Sequence, residues 1–381
     1  MMLHLGRCEE LLATLEDDSV DALVTDPPYG LGKPPKIEDV LRAWLDDTDH
    51  EAGGGGFMGR EWDAFIPQPR LWREVFRVLK PGAHGIVFAG QRTVDLMGVA
   101  LRMAGFEVRE LGGWVYWSGF PKSLNLGLHV DGWQGFGTAT KPAIEPYLLI
   151  RKPLSESSIA RQVLATGTGA LNIDGCRYPW GDAAWPGPQD ATPEPNTEYV
   201  PNMANAVYGR GMGGGAWVES GSRFPANLYY CPKASRRERE RGCDGLPAKS
   251  GAEAVGQKEG SAGLNSPRAG AGRTADAVRN HHPTVKPVRL MRWLSRLVTP
   301  SGGALIDPFM GSGTTGIAAE LEGFVWLGAE MEPDHHAIAS ARIAHAQRWP
   351  ASWADTAPGS QAQADDTAEQ AEKLGQVGMF G

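Results

Sequence analysis

The sequence predicts an α/β fold in which a parallel sheet is joined by crossover helices, and three observations carry the prediction. Short runs of strand formers stop abruptly at turn residues, segments with helical spacing of apolar residues alternate with them, and this rhythm occurs near both ends of the chain.

The first run, 19–25 (SVDALVT), ends at Asp26-Pro27-Pro28 and reads as a buried strand feeding a loop. Residues 53–56 are four glycines and read as a flexible loop. From 71 to 79 (LWREVFRVL) the spacing is helical and stops at Lys80-Pro81-Gly82, after which 85–90 (GIVFAG) reads as a second buried strand. From about 154 to 280, Pro, Gly, Ser and Asn become frequent and no long periodic segment survives, so a loop-rich insertion, disordered in part, is expected. Order returns at His281. Residues 287–298 place Leu290, Met291, Leu294, Leu297 and Val298 at helical spacing with Arg289, Arg292 and Arg296 elsewhere around the wheel, which predicts an amphipathic helix with a basic outer face. A strand at 304–306, a helix at 314–322, a strand at 324–329 and a helix at 334–348 follow, and the Ala-, Gln-, Asp- and Gly-rich tail from 350 to 381 is expected to be disordered. The expected division is 1–153 and 281–349 as two parts of one core, 154–280 as the insertion, and the tail.

Length and composition bound the class. A chain of 381 residues suffices for one large α/β domain with an insertion. No stretch approaches the ~20 consecutive apolar residues of a membrane span, and residues 1–18 lack the basic region and apolar run of a secretion signal, so a cytoplasmic protein away from membranes is expected. Cys8, Cys176, Cys231 and Cys243 show no CxxC spacing, which predicts reduced thiols and no metal site. The net charge is -8, yet residues 151–300 hold 20 Lys and Arg against 13 Asp and Glu. A local basic surface on an acidic chain suits an enzyme that binds a polyanion transiently.

Two segments carry chemistry. Asp307-Pro308-Phe309-Met310-Gly311-Ser312-Gly313-Thr314 follows one expected strand and opens a helix, and Glu330 lies 19 residues beyond Gly311, at the end of the next strand. Glycines let the backbone turn sharply and approach a ligand, while an acid there can accept from both hydroxyls of a ribose, so the pair reads as a nucleoside-cofactor site. A nicotinamide enzyme usually places this turn after its first strand, whereas here it arrives with little chain left. The second segment is Asp26-Pro27-Pro28-Tyr29-Gly30. The prolines fix φ and remove two donors, so their carbonyls remain acceptors in a rigid loop. A carboxylate beside such a carbonyl can hold both protons of an amino group, and Tyr29 offers a ring on which a base can stack.

Together these motifs resemble the β group of the amino-methylating DNA methyltransferases, the N6-adenine and N4-cytosine methylases, in which the proline loop precedes the cofactor turn. His282-Pro283-Thr284-Val285-Lys286-Pro287 and Leu3-His4-Leu5-Gly6-Arg7-Cys8 extend the resemblance, which covers roughly 1–150 and 281–348. It implies a Rossmann-like S-adenosylmethionine-dependent fold with a mostly parallel seven-stranded sheet, circularly permuted, and assigns 154–280 to target recognition. It places Asp26, Pro27, Pro28 and Tyr29 at the target base. Asp307, Phe309, Gly311, Ser312, Gly313 and Thr314 then line the cofactor site, Glu330 holds the ribose, and Thr284 and Lys286 lie near the methionine end. The family often has Asp after the early glycine, where Arg7 stands here. Double-stranded DNA is the implied partner, with a homodimer and a cognate restriction endonuclease as further candidates, in a bacterial or phage-encoded setting.

The chemistry fits that reading. The lone pair of an exocyclic amine is delocalised into its ring, and two acceptors drawing on its protons make the nitrogen more nucleophilic, while a base inside a duplex must first be flipped out. Asp26 favours adenine N6 over cytosine N4, whose enzymes more often carry Ser in that place. Cytosine C5 methylation needs a nucleophilic Cys, usually after Pro, and the chain has no Pro-Cys pair. RNA or protein amine methylation and a non-catalytic DNA-binding module are the readings outside the class. The aromatic stretch 114–123 reads equally as base support or core, and Arg236-Arg237-Glu238-Arg239-Glu240-Arg241 reads as a solvated helix face.

Overall fold

The computed structural model describes residues 1–51, 53, 61–119, 123–179, 182, 184, 222–250, 253 and 277–356. Most of the glycine-rich break at 53–56 and of the stretch at 251–272, all of the Pro- and Gly-rich stretches at 185–196 and 209–215, and the tail from 357 lie outside them.

Ten strands are present among the described residues: β1 (Met2–Leu5), β2 (Val20–Thr25), β3 (Leu79–Phe88), β4 (Glu107–Val115), β5 (Ile144–Arg151), β6 (Tyr178–Pro179), β7 (Ser222–Arg223), β8 (Leu228–Tyr230), β9 (Ala304–Asp307) and β10 (Val325–Glu330). Eight form one sheet in the order β1-β10-β9-β2-β3-β5-β4-β8, and β6 pairs with β7. Within the large sheet only β5 runs antiparallel to its neighbours, β3 and β4, while β6 and β7 are antiparallel to each other. The eighth strand corrects the expected seven. It comes from the loop-rich region, where Leu228, Tyr229 and Tyr230 pair in parallel with Gly113, Trp114 and Val115. Three residues of strand leave no period to detect, and the rest of the sheet supplies the template.

Among the described residues nine α-helices accompany them: α1 (Cys8–Ala13), α2 (Ile37–Leu45), α3 (Pro69–Val78), α4 (Val94–Met103), α5 (Ile159–Thr166), α6 (Arg236–Glu240), α7 (Val288–Val298), α8 (Thr314–Glu322) and α9 (Pro333–Arg348). They cover both faces of the sheet. Val20 and Leu23 of β2 pack with Leu11, Leu12, Trp44, Trp72 and Leu101 of α1 to α4. Ala22 and Val24 point to the other face, against Leu290, Leu294, Ile317 and Ile343 of α7 to α9. A strand buried on both faces needs apolar residues throughout, which is why β2 and β3 read as continuous apolar runs.

Three further expectations are corrected. Lys80-Pro81-Gly82, read as a break, lies within β3, where the register with β2 jumps between Val20 and Ala22 and Gly82 takes φ +83°. A bulge tolerates the proline that a regular ladder would exclude. The arginines of α7 form no solvated basic face. Arg289 is buried against Asp182 at 2.6 Å, and Arg292 and Arg296 both clasp Glu322 at 2.7 and 2.8 Å. Finally, Pro350–Thr356 are helical, with Trp353 fully buried against α9 and the Arg241 guanidinium 4.6 Å from its ring, so order extends past the expected start of the tail.

Candidate active site

Because β1, β10, β9, β2, β3 and β4 are parallel, their carboxyl ends share one edge of the sheet, the edge at which open α/β sheets bind ligands. The proline loop leaves β2 there and the glycine turn leaves its neighbour β9. The two are joined where Thr25 Oγ1 donates to Asp307 Oδ1 at 2.7 Å.

The loop after β2 is fixed from outside. Asp63, on a short helical turn (Glu61–Asp63), accepts from the backbone N–H groups of Tyr29 at 2.8 Å and Gly30 at 3.0 Å, and Thr93 Oγ1 donates to the Tyr29 carbonyl at 2.8 Å. Gly30 takes φ +63°, and a Cβ there would meet Ile66 N at 3.0 Å, so the turn requires glycine. Pro27 is buried, and among the described residues no donor is hydrogen-bonded to the carbonyl of Pro27 or Pro28.

Four side chains converge above this loop. Tyr29 Oη donates to Asp26 Oδ1 at 2.8 Å, while Lys286 Nζ is hydrogen-bonded to Asp26 Oδ2 and lies 3.2 Å from both Tyr29 Oη and Glu145 Oε2. Phe88, Tyr29 and Trp114 surround the ammonium with ring centres 4.8, 5.4 and 6.0 Å away. Burial, reinforced by Glu145, lifts Asp26 above the usual carboxylate range although Lys286 opposes it. Burial also works against the Lys286 charge, but Asp26 and Glu145 outweigh it and hold the ammonium above its ordinary value. Burial and the two neighbouring acids push the Tyr29 phenol well up, so it stays a donor.

The cofactor turn is built from the other strand. Asp307 Oδ1 also accepts from Phe309 N at 3.0 Å, and burial raises this carboxyl to about 6. Phe309 is half-buried, with Trp72 edge-on to its ring at 6.4 Å. Gly311 and Gly313 take φ +56° and +81°, and a Cβ on Gly311 would meet His282 Nε2 at 2.9 Å. Beneath the turn the buried Arg342 guanidinium donates to the Ser312 carbonyl at 2.6 Å and reaches the Ser312 and Thr314 hydroxyls. Glu330 accepts from Gly311 N at 2.9 Å through Oε2 and from Glu332 N at 2.8 Å through Oε1, and burial raises it to about 7. One backbone donor on each oxygen leaves each a further lone pair, which suits the two hydroxyls of a ribose.

The sequence-derived residues thus fall into two groups side by side: Asp26, Tyr29 and Lys286 in one, and Asp307, Gly311, Ser312, Gly313, Thr314 and Glu330 in the other. Thr284 is exposed, and its described contacts are backbone ones to His282. Arg7 pairs with Glu9 at 2.8 Å on the surface. Of the aromatic stretch, Trp114 and Tyr116 are buried in the core, Trp117 is exposed with φ +52°, and residues 120–122 are outside the described set. Much of the Arg236–Arg241 run is structural: Glu238 caps α7 through Val288 N at 2.6 Å, Arg239 donates to the His282 carbonyl at 3.1 Å, Glu240 accepts from Arg279 N at 3.0 Å and Asn280 N at 3.2 Å, and Arg241 grips Asp355 at 2.7 Å. Sequence reasoning missed Glu145, Asp63 and Arg342. A single acid opening a strand, an acid in a loop and an arginine on a helix carry no local pattern that marks them.

A loop carrying a buried acid and a tyrosine thus lies beside a glycine turn held by Glu330, at the ends of neighbouring strands. The family model described as DNA methylase, for the N6 and N4 methylases, matches residues 20–341, and the chain belongs to that family. Type II methyltransferase M2.DpnII of Streptococcus pneumoniae is 39% identical over 62 residues, which is 16% of this chain and 23% of that protein. Aligned segments span 30% or less of the first curated relatives' own lengths. Among solved structures, the PvuII DNA methyltransferase, described as cytosine-N4-specific, aligns over 90% of this chain and 85% of its own at 16% identity and TM-score 0.47. The M1.HpyAVI complex with S-adenosylmethionine aligns over 90% and 98% at 15% identity and TM-score 0.41. No helix of the described residues is long and apolar enough to cross a membrane.

Proposed function

We propose that the chain transfers a methyl group from S-adenosylmethionine to the exocyclic amino group of a flipped base in double-stranded DNA, adenine N6 ahead of cytosine N4. The observation that carries this reading is the junction of the two strand ends: the hydrogen-bonded Asp26 and Tyr29 lie one hydrogen bond, Thr25 to Asp307, away from the glycine turn. The sulfonium methyl is the electrophile that the cofactor supplies. Asp26 and a proline carbonyl accept the two amine protons and raise the electron density on nitrogen, and Tyr29 offers the stacking face. Glu330 holds the ribose, the glycine turn lets the backbone approach the nucleoside closely, and Pro27 and Pro28 keep the loop from yielding when the base arrives.

Asp26 in the first position of the loop is the feature favouring adenine. The strand order, with the last strands of the chain between its first two, is the order expected of the permuted β group. A homodimer and a cognate endonuclease rest on the sequence resemblance alone. The test is mass spectrometry of nucleosides from unmodified DNA incubated with the protein and labelled cofactor, with Asp26→Ala as control. Labelled N6-methyladenine that vanishes in the variant is expected. N4-methylcytosine would move the specificity to cytosine, and label on neither nucleoside would overturn the reading.

A further inference from the structure

The ammonium of Lys286 occupies the place that the proposed reading reserves for a substrate amine. Its three N–H groups have three acceptors, Asp26 Oδ2, Tyr29 Oη and Glu145 Oε2, and three aromatic rings enclose it. The lysine side chain is only 5% exposed, so its charge is desolvated and satisfied by these groups. With Tyr29 on Oδ1 and Lys286 on Oδ2, both oxygens of Asp26 already have donors. A base amine that is to meet Asp26 Oδ2 therefore competes with the lysine.

We propose that Lys286 is an internal stand-in for the amino group of the target base: its ammonium takes the acceptors meant for that amine and withdraws as the base enters. The inference rests on the amine-site reading of the Asp26 loop. The stand-in has a physical purpose. Two carboxylates, Asp26 and Glu145, share a buried site, and without a cation between them one would take up a proton and lose its value as an acceptor. Lys286 works against protonation of Asp26 until the base amine replaces it. The neighbouring titratable groups are Tyr29 beside both acids, Tyr116 within the field of Glu145, and Asp307 within that of Asp26. Lys286 is the cation paired with both acids, and Lys233 stands over the Tyr116 ring at 4.2 Å. Because it must move for the base to bind, Lys286 lowers the fraction of binding-competent protein, and apparent affinity falls by that fraction.

The free protein supplies a test that needs no DNA. In a carbon-13 carboxyl NMR titration, Lys286→Met raises the Asp26 midpoint by about one pH unit or more, whereas Lys286→Arg, which keeps the charge, leaves it near wild type. In Lys286→Ala, millimolar methylammonium enters the vacated position and returns the midpoint towards wild type. Unchanged midpoints in the Met variant, with the remaining spectrum intact, would overturn the proposal. On DNA, the Met variant at a pH above its raised midpoint shows a KM lower by about threefold or more, with the acid limb of kcat displaced upwards. A raised KM at every pH would mean that Lys286 holds the substrate rather than yielding to it, and would also overturn the proposal. If the wild-type protein methylates no DNA, the functional reading fails while the titration and the methylammonium experiment still decide the role of Lys286.

Discussion

Glu330 shows how a single side chain couples binding to pH. Burial raises it to about 7 from an ordinary 4.5, against two backbone donors that favour its charge. Between those values the folded protein binds a proton that the unfolded chain has released, so the group's contribution to stability falls as pH rises through that window. Ribose recognition follows the opposite trend, because only the carboxylate offers two acceptors. S-adenosylmethionine is therefore expected to bind more weakly as pH drops from 8 to 6, by up to about tenfold per unit once below the midpoint, and isothermal titration should show that dependence disappear in Glu330→Gln. Gly311→Ala provides a steric counterpart. A Cβ at φ +56°, 2.9 Å from His282 Nε2, is strained whatever the loop does, so a loss of about 1–3 kcal/mol in thermal unfolding is expected together with weakened cofactor binding. Asp26, Tyr29, Gly311 and Gly313 were legible in the sequence because contiguous motifs carry them, and Glu330 because it ends the strand that follows the glycine turn. Glu145 stood alone before an apolar strand, and only the pairing of β5 between β3 and β4 brings it to the same edge.

Elements matter here through what anchors their ends. Asp63 lies 33 and 34 residues from the two N–H groups it accepts, yet it sets the curvature of the loop after β2. Asp63→Ala leaves two donors without an acceptor at about 1–3 kcal/mol each, and the proline loop should loosen. Single-turnover kinetics are expected to show a fall in the methyl-transfer rate with cofactor affinity little changed, since the glycine turn has its own anchors in Arg342 and Glu330. Equal losses of both would mean that the two loops fail as one unit. The seven residues after Trp349 teach a related lesson. Their composition resembles the tail that follows, but Trp353 fills a space beside α9 and stacks with Arg241, and Trp353→Ala should cost about 3–5 kcal/mol in denaturant unfolding. Helices and strands with a clear period, β2, α3, α7 and β9, were readable from the chain. Short pieces such as β8 and the turn at Pro350–Thr356 exist because the remainder of the fold offers them a partner.

At the scale of the whole molecule, the charge asymmetry that suggested a basic DNA-facing middle is largely spent inside the protein. Arg151, Lys152, Arg241, Lys249, Lys286, Arg292 and Arg296 all pair with acids outside 151–300, namely Glu107, Asp18, Asp355, Asp334, Asp26 and Glu322. Arg177 and Arg289 pair within that segment, with Asp174 and Asp182. The basic and acidic parts of the chain thus neutralise one another across the fold, an arrangement a residue count cannot distinguish from a cationic surface. Among the described residues the surplus left for phosphates is correspondingly small. Binding to duplex DNA should therefore weaken with added salt along a shallow line, with a log-log slope of about -4 or shallower, since each neutralised phosphate contributes about -0.9. Fluorescence anisotropy of a labelled duplex across a salt series would measure it. A slope near -9 would mean that DNA draws cations away from these internal pairs, so that the acidic partners, Glu322 and Asp355 first, must be released when the duplex docks.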